Sequence, residues 1–177
     1  SDPSGSVTRS LSHFLIGGET VKNDWVRLDN AAKIFPAAVS DADNQVFRFS
    51  CDLIETVDVQ CLQRALLETT RFFPVFQVTM KRGLFWYYLE RTDLLPQVRE
   101  EYKPPCAPLY DRDRKTLLCE VTCYRTRINL EVFHALTDGT GALQFLCTLV
   151  SKYLSLYYGF PEPLLDYDAS LSQKSDD

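Results

Sequence analysis

Residues 127–146 read RINLEVFHALTDGTGALQFL, and this stretch decides the fold because its periodicity changes halfway along. Up to residue 133 the stretch is rich in apolar and β-branched residues, which is typical of a strand. From Thr140 the apolar residues follow helical spacing as far as Tyr157, and Gly159 stands where a helix C-cap belongs. The stretch therefore predicts a strand that leads, through a short connection, into a long, well-buried helix.

The junction between this strand and this helix contains His134 and, four residues later, Asp138. A buried polar ring costs free energy unless it finds a partner, so a core strand gains nothing from an imidazole at its tip. Two nearby glycines, Gly139 and Gly141, indicate a specialised backbone with room for a substrate. However, a lone histidine is more often structural than catalytic, and any strand-to-helix link would contain Asp, Gly and Thr. The spacing alone therefore leaves both roles open.

The chain before residue 127 predicts further strands and one more helix. Residues 45–53 alternate apolar and polar types, which indicates a half-buried strand, and Asp58 is a candidate N-cap for an amphipathic helix that Pro74 stops. Aromatic-rich runs at 75–80 and 84–91 flank Gly83 and predict a hairpin.

Residues 117–125 and 127–136 predict a second hairpin with a very tight turn around Thr126. The proline-containing segment 93–116 is interpreted as a loop, and 24–39 as a short helical turn or an ordered loop. The order strand, helix, hairpin, loop, hairpin, helix is an α+β pattern with a mostly antiparallel sheet.

Composition limits the classes of function. With 177 residues the chain is long enough for one domain with a sizeable core, and a net charge of -5 argues against nucleic acid as the main partner. No apolar run is long enough to cross a membrane, and SDPSGSVTRS lacks a signal-peptide core, so a cytoplasmic location is expected. The six cysteines are then expected to be reduced thiols, and their spacing predicts no metal site.

The string HALTDG at residues 134–139 resembles the HHxxxDG motif of an acyltransferase superfamily. That superfamily includes chloramphenicol acetyltransferase, the condensation domains of peptide synthetases and alcohol acetyltransferases. Residues 27–37, 83–91 and 127–146 together resemble its bacterial alcohol acetyltransferase-like branch. The resemblance implies a chloramphenicol acetyltransferase-like α/β sandwich with flanking helices, of which this chain is the N-terminal of two subdomains.

The resemblance also implies roles for individual residues. His134 stands at the position of the general base, which deprotonates an alcohol or amine for attack on a thioester. Asp138 would give structural support through a salt bridge to an arginine, Gly139 would permit the turn, and Phe133 replaces the first histidine of the motif. The arginine is open among Arg48, Arg71, Arg125 and Arg127.

The activity implied is an acyl-CoA-dependent O-acyltransferase with no bound cofactor, acyl-CoA being a co-substrate. The partners implied are a small alcohol or amine and a missing C-terminal subdomain, or further copies of the chain. Expected boundaries are a loose N-terminus at 1–20, a subdomain at 21–165, and a tail or linker at 166–177. Two alternatives stay open: a condensation-type catalyst that uses a carrier-protein thioester, and a catalytically silent binding domain.

No residue is assigned to the binding of CoA. Arg112, Arg114 and Lys115 form a small basic patch that could attract phosphates. Because Asp111 and Asp113 interleave with them, a solvated loop is the preferred interpretation.

Overall fold

The computed structural model of the chain describes residues 45–82, 84, 87–111 and 113–161, together with the backbone of 25–27. Its strands are β1 (Trp25–Arg27), β2 (Val46–Asp52), β3 (Val78–Arg82), β4 (Tyr87–Arg91), β5 (Val98–Glu100), β6 (Cys119–Tyr124) and β7 (Arg127–Phe133). Its helices are α1 (Val59–Thr70), a 3-10 helix (Pro74–Phe76) and α2 (Gly139–Tyr158). The α+β prediction is confirmed.

A four-stranded sheet in the order β2-β7-β6-β5 carries the long strand that ends at the histidine. β7 pairs antiparallel with β2 on one side and with β6 on the other, and β5 joins β6 in parallel. The predicted second hairpin is therefore confirmed, with Arg125 and Thr126 as its turn and Arg125 in the left-handed region at φ 51°.

A three-stranded antiparallel sheet in the order β1-β4-β3 contains the predicted first hairpin. β1 corrects one prediction, because Trp25–Arg27 is a strand and not a helical turn or loop. Its partner β4 lies more than 60 residues away in sequence, and such pairing leaves no local sequence signal. The other residues of the segment predicted as a helical turn or loop, 24 and 28–39, lie outside the described residues. So do the predicted ends of the chain at 1–20 and 166–177.

The segment predicted as one loop, 93–116, also needs correction because it contains β5. Only three residues long, β5 lies at the edge of the sheet, and its parallel register with β6 is given by the Val98–Val121 pair. The side chain of Gln63 in α1 makes two hydrogen bonds to the backbone where β5 begins. Its amide nitrogen donates to the Pro96 carbonyl at 3.0 Å, and its oxygen accepts the Val98 N–H at 2.8 Å.

The two predicted helix caps, one at the start of α1 and one at the end of α2, are both present. Asp58 accepts the Cys61 N–H at 2.8 Å at the start of α1, and Gly159 ends α2 with a left-handed φ of 72°. α1 packs against α2, and α2 packs against β2 and β7. Among the described residues, no helix combines the length and apolarity that a membrane crossing needs.

The two faces of β7 have opposite chemistry. Ile128, Leu130 and Val132 are completely buried and share an apolar core with the inner faces of the helices. Asn129 and Glu131 point to the other face and are also completely buried. The sheet is therefore covered on both faces at β7. Because the strand is fixed in this way, it gives a rigid support to the residue that follows it, His134.

Candidate functional site

His134 directly follows β7 and lies exposed at the end of the strand, as its position in the sequence predicts. Its backbone N–H donates to the Gln45 carbonyl at 2.7 Å, one residue beyond the last β2–β7 pair. Its ring meets the Phe47 ring edge to face, with centroids 5.4 Å apart and planes at 64°. An imidazole held at the rim of a rigid sheet and open to solvent is accessible to a substrate.

Asp138 lies at the N-terminus of α2, where it acts as the helix N-cap. Its carboxylate oxygen accepts the Gly141 N–H at 2.8 Å, which satisfies one of the unpaired donors at the helix start. Among the described residues, no arginine forms an ion pair with this carboxylate. The role that the resemblance implies, structural support through an arginine, stays a prediction, and the observed support comes from capping.

The two glycines of the junction differ in their surroundings. Gly139 is the first residue of α2 and has no positive φ, and a Cβ added to it would meet Phe49 Cζ at an ordinary 3.8 Å. At Gly141 an added Cβ would lie 2.2 Å from Thr137 Oγ1. The tight approach of the turn to the helix is therefore at Gly141, and the turn role that the resemblance implies for Gly139 stays a prediction.

Phe133, at the position of the first histidine of the motif, is completely buried and faces Tyr110 at a centroid distance of 6.5 Å. A side chain packed in this way cannot reach a substrate beside His134. Within the described part of the chain, His134 is therefore the imidazole available for proton transfer at this strand end.

The four candidate arginines lie elsewhere. Arg127 pairs with Asp52 at 3.0 Å on the surface, Arg125 lies over the Tyr124 ring, and Arg71 follows the end of α1. Arg48 is committed to carboxylates on the polar face of the sheet. Its nitrogens contact Glu131 Oε1 at 2.8 to 2.9 Å and Glu101 Oε1 at 2.5 Å.

This polar face carries a buried ionic network. Glu131 Oε1 accepts the Cys106 N–H at 2.7 Å in addition to Arg48, and Lys103 lies 3.9 Å from Glu131 Oε2. Burial lowers the pKa of Arg48, but its hydrogen bonds to Glu101 and Glu131 outweigh this effect and raise the pKa overall. The network therefore fixes the segment after β5 onto the sheet.

A cavity of 540 Å³ lies towards the β5 edge of the sheet. Apolar side chains from α1, α2 and the 3-10 helix, including Leu66, Phe76 and Phe145, form part of its wall. Arg114 and Lys115 of the predicted basic patch also line it, while Arg112 lies outside the described residues. His134 does not line this cavity, so the patch and the histidine belong to different regions.

None of the six cysteines forms a disulfide in the structure, and Cys119 and Cys123 are buried. Burial, assisted by the neighbouring Glu120, raises the pKa of the Cys119 thiol to about 12. Within the described part of the chain, no group of three or more His, Cys, Asp or Glu side chains could hold a metal ion.

Sequence reasoning missed Gln45 and Phe47, the two residues of β2 and its approach that contact His134. The alternation in 45–53 does place Phe47 and Phe49 on one face, which was the available signal. What the sequence lacks is the register that sets Val46 opposite Phe133, more than 80 residues away.

No protein-family model matches the chain, and no curated protein matches it. Solved structures do. The starter condensation domain of rhizomide synthetase is 10% identical, with a TM-score of 0.60 over 80% of this chain and 38% of that chain. Polyketide synthase associated protein 5 from Mycobacterium tuberculosis is 19% identical, with a TM-score of 0.56 over 78% of this chain and 35% of that one.

A chain of the complex of the X-domain and OxyB from teicoplanin biosynthesis is 14% identical, with a TM-score of 0.58. That match covers 90% of this chain and 38% of the other. The chain thus has the fold of part of a condensation domain, and it spans less than half the length of these three neighbours.

Proposed function

We propose that this chain is the histidine-bearing part of an acyltransferase that moves an acyl group from a thioester to an alcohol or amine, with His134 as general base. One observation carries the proposal: the imidazole is exposed at the end of a buried strand, with its backbone held by the Gln45 carbonyl. Support comes from the fold shared with condensation domains and from the HALTDG string at residues 134–139.

In the proposed reaction one proton moves through His134, one bond forms and one bond breaks. His134 accepts the proton of the acceptor hydroxyl or amine as its oxygen or nitrogen bonds to the thioester carbonyl carbon. The carbon–sulfur bond then breaks, and the departing thiolate takes the proton from the imidazolium. General base catalysis of this kind contributes on the order of 10²- to 10⁴-fold to a rate.

Two acyl donors fit this chemistry. Acyl-CoA is the donor that the resemblance to alcohol acetyltransferases implies, and a carrier-bound thioester is the donor of a condensation-type catalyst. They share the thioester and differ in the adenosine phosphates. Arg114 and Lys115 line a cavity that His134 does not line. We therefore assign no phosphate-binding site beside His134. Acyl-CoA with a small alcohol remains the first choice, in accordance with the sequence blocks.

A second candidate function is a binding domain that has lost the reaction. Two observations favour it: Phe133 is buried where the motif has its first histidine, and Asp138 caps a helix without an arginine among the described residues. One structural neighbour is a chain of the complex of the X-domain and OxyB from teicoplanin biosynthesis, and that match covers 90% of this chain.

The test is thiol release by the full-length protein, with acetyl-CoA or an acyl-loaded carrier protein as donor and a panel of short alcohols and amines as acceptors. His134→Ala should lower turnover at least about 100-fold with the preferred donor. Thr140→Ala, an exposed change in the first turn of α2, is the matched control and should stay within about twofold of the parent. Equal turnover in His134→Ala and the parent would contradict the base role. No turnover with either donor, in a folded protein, would favour the binding domain.

A further inference from the structure

The start of β2 contacts His134 in two independent ways. Gln45 bonds to its backbone, and Phe47 packs against its ring. The two contacts come from residues two apart in the chain, so they move together with one strand. Because β2 pairs with β7 along its full length, from Val46–Phe133 to Asp52–Arg127, that strand is itself fixed.

Gln45 has an unusual backbone. Its φ of 56° lies in the left-handed region, which residues other than glycine, asparagine and aspartate rarely adopt. Its carbonyl accepts the His134 N–H at 2.7 Å, one step past the last residue pair of the two strands. Strained backbone persists where the surrounding structure requires it, and such positions cluster at functional sites. The left-handed residue lies immediately before β2 begins, and its carbonyl is the one that accepts the His134 N–H.

Phe47 acts on the side chain of His134. An exposed imidazole changes rotamer freely unless a neighbour restricts it. The edge-to-face contact at 5.4 Å supplies that neighbour. Phe47 is in turn supported by Phe49, at 5.8 Å and an interplanar angle of 83°, and Phe49 Cζ lies so near Gly139 that a Cβ added there would meet it at 3.8 Å. The rings thus connect the imidazole to the first residue of α2.

We propose that Gln45 and Phe47 are positioning residues for His134: the Gln45 carbonyl fixes the backbone, and the Phe47 ring fixes the orientation of the imidazole. This inference rests on the proposed function, since positioning matters for rate only if His134 takes the proton. Neither side chain is required to touch a substrate. A displacement of about 1 Å in a reacting group can cost on the order of 100-fold in rate.

Phe47 is tested with Phe47→Leu, which removes the ring, and Phe47→Tyr, which keeps it. The chain contains only two histidines, so the imidazole protons of His134 can be assigned by NMR after His13→Gln. Phe47→Leu should abolish the ring-current shift of His134 and lower kcat on the order of 10-fold, with KM within about twofold, and Phe47→Tyr should restore both. Phe73→Leu is the matched control, because Phe73 makes similar edge contacts with Phe76 and Phe145 away from His134.

The role of Gln45 is tested with substitutions that differ in how well they tolerate a left-handed backbone. Gln45→Gly and Gln45→Asn tolerate the left-handed region, whereas Gln45→Val opposes it. The valine variant should speed hydrogen exchange of the His134 amide and lower kcat on the order of 10-fold, while glycine and asparagine should leave both near the parent values.

The outcomes separate the two proposals. Unchanged His134 shifts, amide exchange and kcat in folded Phe47→Leu and Gln45→Val would overturn the positioning role, whatever His134→Ala does. Turnover that is insensitive to His134→Ala overturns the base role, and the shifts and amide exchange still decide whether Gln45 and Phe47 hold the ring in place. Slower turnover in Phe73→Leu equal to that in Phe47→Leu would also overturn the inference, since a general loss of packing would then explain the effect.

Discussion

Glu131 places a carboxylate in the interior of the sheet, with its side chain 1% exposed. The carboxylate is tolerable there because Arg48 and the Cys106 N–H both reach Oε1. Removing one partner of a buried pair leaves the other charge uncompensated, and this typically costs more than the pair contributes. Arg48 is therefore needed because Glu131 is buried.

Arg48→Met should lower the free energy of unfolding by about 3 kcal/mol, because Glu131 would keep its burial and lose its main counter-ion. The double variant Arg48→Met with Glu131→Met should recover much of that loss. Urea unfolding at neutral pH measures both. Arg127→Met is the matched control on the same two strands, and since Arg127 and Asp52 are about half exposed it should cost less than about 1 kcal/mol. A loss at Arg48 no larger than at Arg127 would contradict this account.

At the scale of the element, α1 and α2 begin with the same device. Asp58 and Asp138 each adopt an extended backbone and accept the N–H three residues later at 2.8 Å. α2 is 20 residues long and most of its inner face is buried, so its position is set by packing rather than by the cap. Its cap matters because it also ends the connection that follows His134.

Asp138→Ala should therefore cost about 1 kcal/mol of stability, as should Asp58→Ala, while Asp138→Asn should cost little because asparagine caps equally well. Thermal or urea unfolding of the three variants gives the comparison. If capping is the whole role of Asp138, Asp138→Asn also keeps turnover within a few-fold of the parent. A loss of turnover near that of His134→Ala in the stable asparagine variant would show a further role for the carboxylate.

At the scale of the molecule, the elements that were predictable are those with a local signal. The period change at residue 134, the cap at Asp58 and the C-cap at Gly159 each depend on residues within one or two turns. β1 and β5 could not be predicted, because three-residue strands carry almost no periodicity and depend on partners far along the chain. The same limit applies to the site. The sequence identifies His134 as a candidate residue, whereas its contacts with Gln45 and Phe47 depend on the register between two strands that are distant in the chain.

Buried thiols make the stability of the whole molecule depend on alkaline pH. Burial raises the pKa above the ordinary 9.0 for Cys51, Cys61, Cys106, Cys119 and Cys123. Above that pH the unfolded chain releases protons that the folded chain retains. The contribution of these thiols is therefore fully present below about pH 9 and is lost as pH rises, for Cys119 until about pH 12.

Cys119→Val should flatten this alkaline decline, because Cys119 has the most strongly raised pKa and lies at the start of the central strand β6. Between pH 8 and pH 10 the parent should lose about 1 kcal/mol more of its unfolding free energy than the valine variant, which follows from one proton released by the unfolded chain alone. Urea unfolding with a reductant present, at pH 8, 9 and 10, measures the difference. Cys147→Ser, which removes a thiol at an exposed position of α2, is the control. A parallel decline in Cys119→Val would instead mean that the thiol ionises as easily in the folded chain as in the unfolded one, and therefore that β6 opens to solvent at that pH.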